Sequence, residues 1–275
     1  MTVAFNCANS ADLAKPVVPA NSAHVDYLLH LADNALVLGQ RNAEWCGHGP
    51  VLEEDIAMAN ISVDLIGQAR LLYQHVAILK ADGASEDTLA YFRDAHEFRN
   101  YTLLELPHGL AGGERDYAVT IVRNFLYSAL MLLLWDALQK SGDIQLAAIA
   151  ERAVKETRYH LRHSRDWLVR LGDGTPQSHA RMQAAWNHLM PYALEFWTEY
   201  AIEHEVSVQR IGVPTASLRA AWQDLIGSAA KEATLSLPAL KGNIPQGKHG
   251  VHSPHLSHLL DEMQSLARQH PGAAW

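Results

Sequence analysis

The sequence has few cysteines, two in 275 residues, at Cys7 and Cys46. Two cysteines are too few for a disulfide framework or a cysteine-ligated zinc site, and so low a number is typical of a reducing compartment. Basic residues are also few, since 22 lysines and arginines stand against 30 acidic residues and the formal charge is −8. This balance argues against a nucleic-acid partner, because binding to phosphates needs an excess of positive charge.

Long apolar runs and targeting signals are scarce as well. Residues 1–21 lack the basic region and the apolar core of a signal peptide. The longest apolar block, at residues 129–135, is much shorter than the ~20 residues of a membrane-spanning helix. We therefore expect a cytoplasmic protein without a membrane partner.

No run of alternating polar and apolar residues predicts a strand, so we expect an all-α fold. Residues 52–80 contain no proline, and apolar side chains occur on nearly every side of the predicted helix, as in a helix buried among other helices. A line of polar residues runs along it: Asn60, Asp64, Gln68 and His75. We expect Asp64 to belong to a buried network with Gln68 and with basic or imidazole groups on facing helices.

Capping residues and helix breakers predict four long helices with short connections, which is the pattern of an antiparallel bundle. These long helices are predicted at residues 22–43, 52–80, 116–140 and 144–171. A further long helical segment is predicted at 179–210, with a kink or break at Pro191, and shorter helices are predicted at 86–100, 218–235 and 254–269. Residues 1–21 are predicted to be a flexible tail, and residues 22–275 a single helical domain with additional C-terminal helices.

A four-helix bundle of this kind can hold two iron ions, with one Glu from each of two helices and a Glu-x-x-His motif from each of the other two. The expected ligand positions are occupied by Asn34, Asp64, Gly67, Ser128, Thr157 and His160. Of these residues, only Asp64 and His160 are strong iron ligands. We therefore interpret the six positions as vestigial, and we predict no catalytic, cofactor-binding or metal-binding residue.

Two histidine groups leave an alternative open. Asp64, with Glu156, His160 and His163, could form a non-standard metal site and make the chain a metalloenzyme, although an ordinary carboxylate–imidazole pair explains the same spacing. A second group is formed by His249, His252, His255 and His258. It predicts either a weak transition-metal site or polar groups beside a partner surface.

Two charged stripes also need an interpretation. A basic stripe on the fourth long helix consists of Arg152, Lys155, Arg158, Arg162 and Arg165. It could bind an acidic partner or the phosphates of an acyl-CoA, in which case the chain would be an acyl-CoA-binding helical module, but a solvated helix face gives the same pattern. Glu195, Glu199 and Glu203 are interpreted as an exposed acidic stripe.

Several motifs together resemble one family. They are Glu-Trp-Cys-Gly-His at 44–48, Leu-Glu-Glu-Asp-Ile-Ala at 52–57, Asp-Leu-Ile-Gly-Gln-Ala-Arg at 64–70, the Glu-x-Pro-x-Gly loop at 105–109, Lys-Glu-x-Arg-Tyr-His-Leu-Arg at 155–162, and Gly-Val-His-x-x-His-Leu at 250–256. The chain resembles the C subunits of bacterial phenylacetyl-CoA epoxidases (ring 1,2-phenylacetyl-CoA monooxygenases), which are ferritin-like. The likeness covers nearly all of the chain beyond the tail.

The resemblance implies a ferritin-like helical bundle that is a non-catalytic structural subunit of a monooxygenase complex in aerobic phenylacetate catabolism. In that family a catalytic A subunit holds the di-iron centre, a small B subunit is present, and a reductase holds FAD and an iron–sulfur cluster. The complex uses O2 and NADPH to epoxidise the ring of phenylacetyl-CoA. No catalytic role carries over to this chain, because Asn34, Gly67, Ser128 and Thr157 occupy ligand positions.

Overall fold

The computed structural model describes residues 22–110, 113–238 and 243–273. Within these ranges the fold is all-α, with no strand beyond an isolated bridge between Gln246 and Val251. The described α-helices are α1 (Ser22–Ala43), α2 (Leu52–Lys80), α3 (Glu86–Tyr91), α4 (Thr102–Glu105), α5 (Tyr117–Leu138), α6 (Ile144–Gly172), α7 (Pro176–Leu189), α8 (Ala201–Val208), α9 (Arg219–Glu232) and α10 (Pro254–Gln269). The predicted flexible tail, residues 1–21, lies outside the described residues.

The four predicted long helices are confirmed as α1, α2, α5 and α6, and they form a bundle. Helix α1 packs along α2, α5 packs along α6, and α2 meets α6 across the middle. A buried reciprocal pair of amide hydrogen bonds between Asn42 and Asn124, of 2.8 and 3.0 Å, joins α1 to α5. This arrangement agrees with the predicted ferritin-like bundle.

Side-chain caps define where several helices begin. Asp116 accepts a hydrogen bond from the backbone N–H of Ala118 at the start of α5, and Ser253 accepts one from His255 at the start of α10. Each cap satisfies a backbone donor that has no partner within its own helix. Both helices therefore begin at the capping residues that the sequence indicated.

Helix α5 supplies much of the core. Eighteen of its residues are buried, including Phe125 and Trp135. By length and composition α5 could cross a membrane, but 89% of its most apolar window is buried inside the fold. A helix covered on all sides by other helices has the same composition as a membrane span, because both avoid water.

The structure corrects the helix predicted at residues 86–100. Helix α3 ends at Tyr91, and a short 3₁₀ turn follows at Ala95–Glu97. The reason is tertiary: the Arg93 guanidinium pairs with the fully buried carboxylate of Asp33 on α1. Because of this contact the chain leaves the helical path after Tyr91, and Asp94 then begins the 3₁₀ turn as its N-cap residue.

The break predicted at Pro191 is confirmed, but the acidic stripe predicted after it is exposed only at Glu199, because Glu195 and Glu203 are buried. Helix α7 ends at Leu189, and a 3₁₀ turn covers Met190–Trp197. Glu195 is 0% exposed, and its carboxylate accepts hydrogen bonds from the backbone N–H groups of Thr102 and Lys248, at 2.8 and 2.9 Å. Burial raises the pKa of Glu195 to about 6, although both hydrogen bonds oppose the rise.

Glu203 is buried as well. Its carboxylate accepts hydrogen bonds from the backbone N–H and the hydroxyl group of Thr215, at 2.9 and 3.0 Å. Burial raises its pKa, against the opposing charge of the fully buried Lys248. These glutamates are therefore internal acceptors that hold the loops of the C-terminal half.

Candidate functional site

The seam between α2 and α6 contains a row of polar contacts. The His160 Nε2–H donates to Asp64 Oδ2 at 3.0 Å, and the His163 Nε2–H donates to Glu54 Oε2 at 2.8 Å. The same oxygen of Glu54 accepts the Tyr117 hydroxyl proton at 2.5 Å. The polar line predicted on α2 therefore points at α6, as expected for a helix at the centre of a bundle.

The predicted network around Asp64 is only partly correct. Its imidazole partner, His160, is present and buried, but the side chain of Asp64 is 35% exposed. Gln68 forms no hydrogen bond with Asp64 in the described structure; its amide donates to Glu156 Oε2 at 2.9 Å. The second oxygen of Glu156 accepts from Arg152 Nε at 2.8 Å. The pair therefore lies at the border of the seam, with His160 on its buried side and Asp64 on its solvent side.

The other predicted ligand positions do not join this pair. The Asn34 side-chain oxygen accepts the backbone N–H of Tyr101 at 2.8 Å, on the side of α1 that faces the segment before α4. Ser128 and Thr157 are buried but have no carboxylate or imidazole. A Cβ at Gly67 would meet no heavy atom within 4 Å.

The donor set of these positions does not fit a di-iron centre. Such a centre requires several carboxylates that converge on two ions. In the seam, one carboxylate and one imidazole bind each other. These residues therefore do not supply the ligands that two iron ions need.

The structure also does not gather the alternative metal set at one centre. Asp64 and His160 form one pair, Glu156 binds Gln68 and Arg152, and His163 binds Glu54. Within the described residues, the one group with ligand-like spacing is a different one. These separate pairings give no support to a site on Asp64, Glu156, His160 and His163, which stays a prediction for metal analysis to test.

That different group consists of His24, His75 and Asp143, which the sequence motifs do not reveal. Both imidazole Nε2 atoms lie close to Asp143 Oδ2, at 2.8 Å for His24 and 2.6 Å for His75. The other carboxylate oxygen accepts the backbone N–H groups of Gln145 and Leu146 at the start of α6. No sequence pattern indicates the group, because 119 and 68 residues separate the histidines from Asp143.

In this structure the three side chains form a hydrogen-bonded junction. Ligand atoms ~2.0–2.1 Å from one tetrahedral zinc ion lie about 3.3 Å apart, which is more than either observed distance. Burial works to raise the pKa of Asp143, but the hydrogen bonds from His24, His75 and Leu146 outweigh it and hold the pKa well below its usual value. The carboxylate thus ties together the start of α1, the end of α2 and the start of α6.

The C-terminal histidines have separate surroundings. His252 contacts Glu105 Oε2 through Nδ1 at 3.1 Å and the Phe98 carbonyl oxygen through Nε2 at 2.9 Å. Burial would lower the pKa of His252, but Glu105 outweighs it and raises the pKa. His249 lies edge-on to the ring of Tyr200, with 5.3 Å between centroids. His252 therefore anchors the loop before α10.

The basic stripe on α6 is largely paired. Arg152 binds Glu156 at 2.8 Å, Lys155 lies 3.4 Å from Glu151, and Arg165 binds Glu232. The guanidinium of Arg162 lies over the ring of Tyr159, 5.7 Å from its centroid. These contacts favour the interpretation of a solvated helix face.

The Glu-Trp-Cys-Gly-His motif meets the 105–109 loop at the end of α1. The indole N–H of Trp45 donates to Thr120 Oγ1 at 2.8 Å and lies 3.1 Å from His108 Nδ1. His108 Nε2 donates to the Arg41 carbonyl oxygen at 2.7 Å. Burial, aided by the charge of Arg123, lowers the pKa of His108 to about 2, so this imidazole is neutral.

The comparisons with known proteins agree with these motifs. A family model described as phenylacetic acid catabolic protein matches residues 11–275. The C subunit of the 1,2-phenylacetyl-CoA epoxidase of Escherichia coli (strain K12) is 45% identical over 249 residues, which are 90% of this chain and 98% of the E. coli chain. The resemblance drawn from the motifs is thereby confirmed. The chain belongs to the phenylacetic acid catabolic protein family.

Proposed function

We propose that this chain is a non-catalytic structural subunit of a 1,2-phenylacetyl-CoA epoxidase complex. The observation that carries the proposal is the donor set of the bundle: Asp64 and His160 bind each other, and Gly67, Ser128 and Thr157 stand where further ligands are needed. The name of the E. coli relative supports the assignment to such a complex. In this role the chain stabilises a catalytic subunit of the complex and performs no oxidation itself.

The proposed partner is a di-iron A subunit that binds the acyl-CoA, in a cytoplasmic complex with a B subunit and a reductase that holds FAD and an iron–sulfur cluster. Exposed apolar side chains on α2 support a partner on that face. Leu52, Ile56 and Val63 are 72%, 53% and 68% exposed, and their spacing places them on one side of the helix.

Co-expression with the A subunit tests the proposal. We expect the two chains to purify as one complex of equal stoichiometry, with iron present in the A subunit and absent from this chain expressed alone. A chain that stays monomeric beside the A subunit would contradict the structural role.

Metal analysis of the isolated chain tests the absence of a metal centre separately. About one iron or manganese per chain, lost in His160→Ala, would favour the metalloenzyme alternative. Affinity for coenzyme A in the absence of any partner would favour the acyl-CoA-binding alternative.

A further inference from the structure

A fully buried guanidinium lies at the end of the bundle where α1, α5 and the 105–109 loop meet. Arg123 on α5 is 0% exposed, and its Nη2 donates to the Pro107 carbonyl oxygen at 2.6 Å. Its Nε and Nη1 donate to no acceptor among the described residues, and neither does the buried Nε of Arg41. Three buried nitrogen atoms, which carry four N–H hydrogens, therefore have no acceptor among the described residues, and this is costly for groups that carry positive charge.

The charges in this cluster do not balance. Arg41 Nη1 binds Glu44 Oε1 at 2.5 Å, and its Nη2 donates to the Glu105 backbone carbonyl oxygen at 2.7 Å. Arg123 forms no ion pair within the described part of the chain. His108, between them, is neutral. Two guanidinium groups against one carboxylate leave one positive charge without a counter-charge.

The excess charge persists at neutral pH. Burial lowers the pKa of Arg123 to about 9. The positive charge of Arg41 lowers it further, and the negative charge of Glu44 partly offsets these two effects. A group with that pKa remains protonated at pH 7. A water molecule could accept the free N–H groups, but it would not compensate the charge.

The two motifs that the proposed function leaves unexplained build this cluster. Glu44 and Trp45 come from the Glu-Trp-Cys-Gly-His motif, and the Pro107 carbonyl belongs to the Glu-x-Pro-x-Gly loop. Gly109 allows that loop to turn back sharply, because a Cβ there would lie 2.1 Å from the Gly113 carbonyl oxygen. The chain thus holds the buried guanidinium in place with closely packed backbone.

We propose that Arg123 and Arg41 form a binding site for a small inorganic anion of the halide class. Such an anion accepts several N–H groups at once, supplies the missing negative charge, and is small enough for a fully buried position. The larger anions, phosphate and carboxylate ligands among them, are disfavoured because Arg123 has no exposed surface. The site is independent of the proposed partner subunits.

Thermal unfolding of the purified chain tests the site in solution. At constant ionic strength, chloride is exchanged for gluconate, which is too large for the site. We expect the unfolding midpoint to rise saturably by about 2–6 °C with chloride, because a ligand bound to the folded state alone stabilises it. Arg123→Gln should remove the saturable rise, whereas Arg158→Gln, at an exposed position on α6, should retain it.

Anomalous diffraction from crystals soaked in bromide tests the site without a variant, since Arg123→Gln could fail to fold. We expect a bromide peak within hydrogen-bonding distance of Arg123 Nε or Nη1. An identical response to chloride in Arg123→Gln and the unaltered chain would overturn the proposal. Water density at the position, or an acidic side chain of a neighbouring protein placed there, would overturn it as well.

Discussion

Asp64 on α2 and His160 on α6 join two helices through one hydrogen bond of 3.0 Å, at two of the six positions where a di-iron bundle would have ligands. Each side chain uses the other as its partner. The pair is also asymmetric, since His160 is buried whereas the side chain of Asp64 is 35% exposed. This asymmetry determines how much stability the pair contributes.

Asp64→Ala is therefore expected to destabilise the fold modestly. A hydrogen bond with one half-exposed partner contributes about 0.5–1.5 kcal/mol, because solvent replaces part of the interaction. Urea unfolding of Asp64→Ala and of Asp64→Asn, which keeps an acceptor for His160, measures it. A loss above about 3 kcal/mol would mean that the carboxylate belongs to a fully buried network after all.

Arg93→Ala should be much more damaging. Asp33 is 0% exposed, and the substitution removes the guanidinium that balances its negative charge. The Tyr73 hydroxyl, 2.6 Å from Asp33 Oδ1, still donates a hydrogen bond but does not neutralise the carboxylate. Breaking a buried ion pair costs about 3–5 kcal/mol. The matched control is Arg70→Ala, which removes a guanidinium with a 65% exposed side chain from Glu86 and should cost less than about 1 kcal/mol. Equal unfolding midpoints for both variants would refute the difference.

Asp143→Ala tests the junction of the three helix ends. It removes an N-cap and both imidazole contacts, so we expect a loss of about 2–4 kcal/mol in the free energy of unfolding. Asp166→Ala, at an exposed position on the same helix, is the control and should change little.

The same junction predicts an acid sensitivity. The folded pKa of Asp143 lies below its ordinary value of 3.8, so its stabilisation is fully present above that value and is lost as pH falls through the folded pKa. Unfolding at pH 6, 4 and 3 should show the unaltered chain losing more stability than Asp143→Asn. Parallel losses in the two proteins would contradict this assignment.

Val63→Asp tests the exposed face of α2 as the partner surface. A charge on an apolar face that a partner covers should weaken binding to the A subunit by 10-fold or more, while the unfolding midpoint changes little because Val63 is 68% exposed. Val208→Asp, on α8 at 72% exposure, is the matched control. Equal binding of the A subunit by both variants would show that this face of α2 is not the interface. Failure of the unaltered chain to bind the A subunit would refute the structural role.

Much of the bundle could be predicted because the features that indicate helices, such as capping residues and the absence of proline, lie within short stretches of sequence. Helix α2 begins and ends where the sequence indicated, since residues 52–80 lack proline, and Asp116 and Ser253 mark helix starts by capping. The prediction that the ligand positions are vestigial also rests on residue identity alone, because Gly67 has no side chain and Ser128 has neither a carboxylate nor an imidazole. Helix α3 is shorter than the sequence indicates because the Arg93–Asp33 pair, which ends the helix, joins residues 60 positions apart.

The sequence by itself determined an all-α bundle whose apparent ligand positions are mostly neutral, because helical period, caps and residue identity are properties of short segments. Only the tertiary structure decided which polar side chains meet. It buried Glu195 and Glu203, joined His24 and His75 at Asp143, and enclosed Arg123 without a carboxylate partner from the part of the chain that the structure describes. These outcomes depend on how distant segments pack, since the cost of burying a charge is set by neighbours that no short stretch of sequence contains.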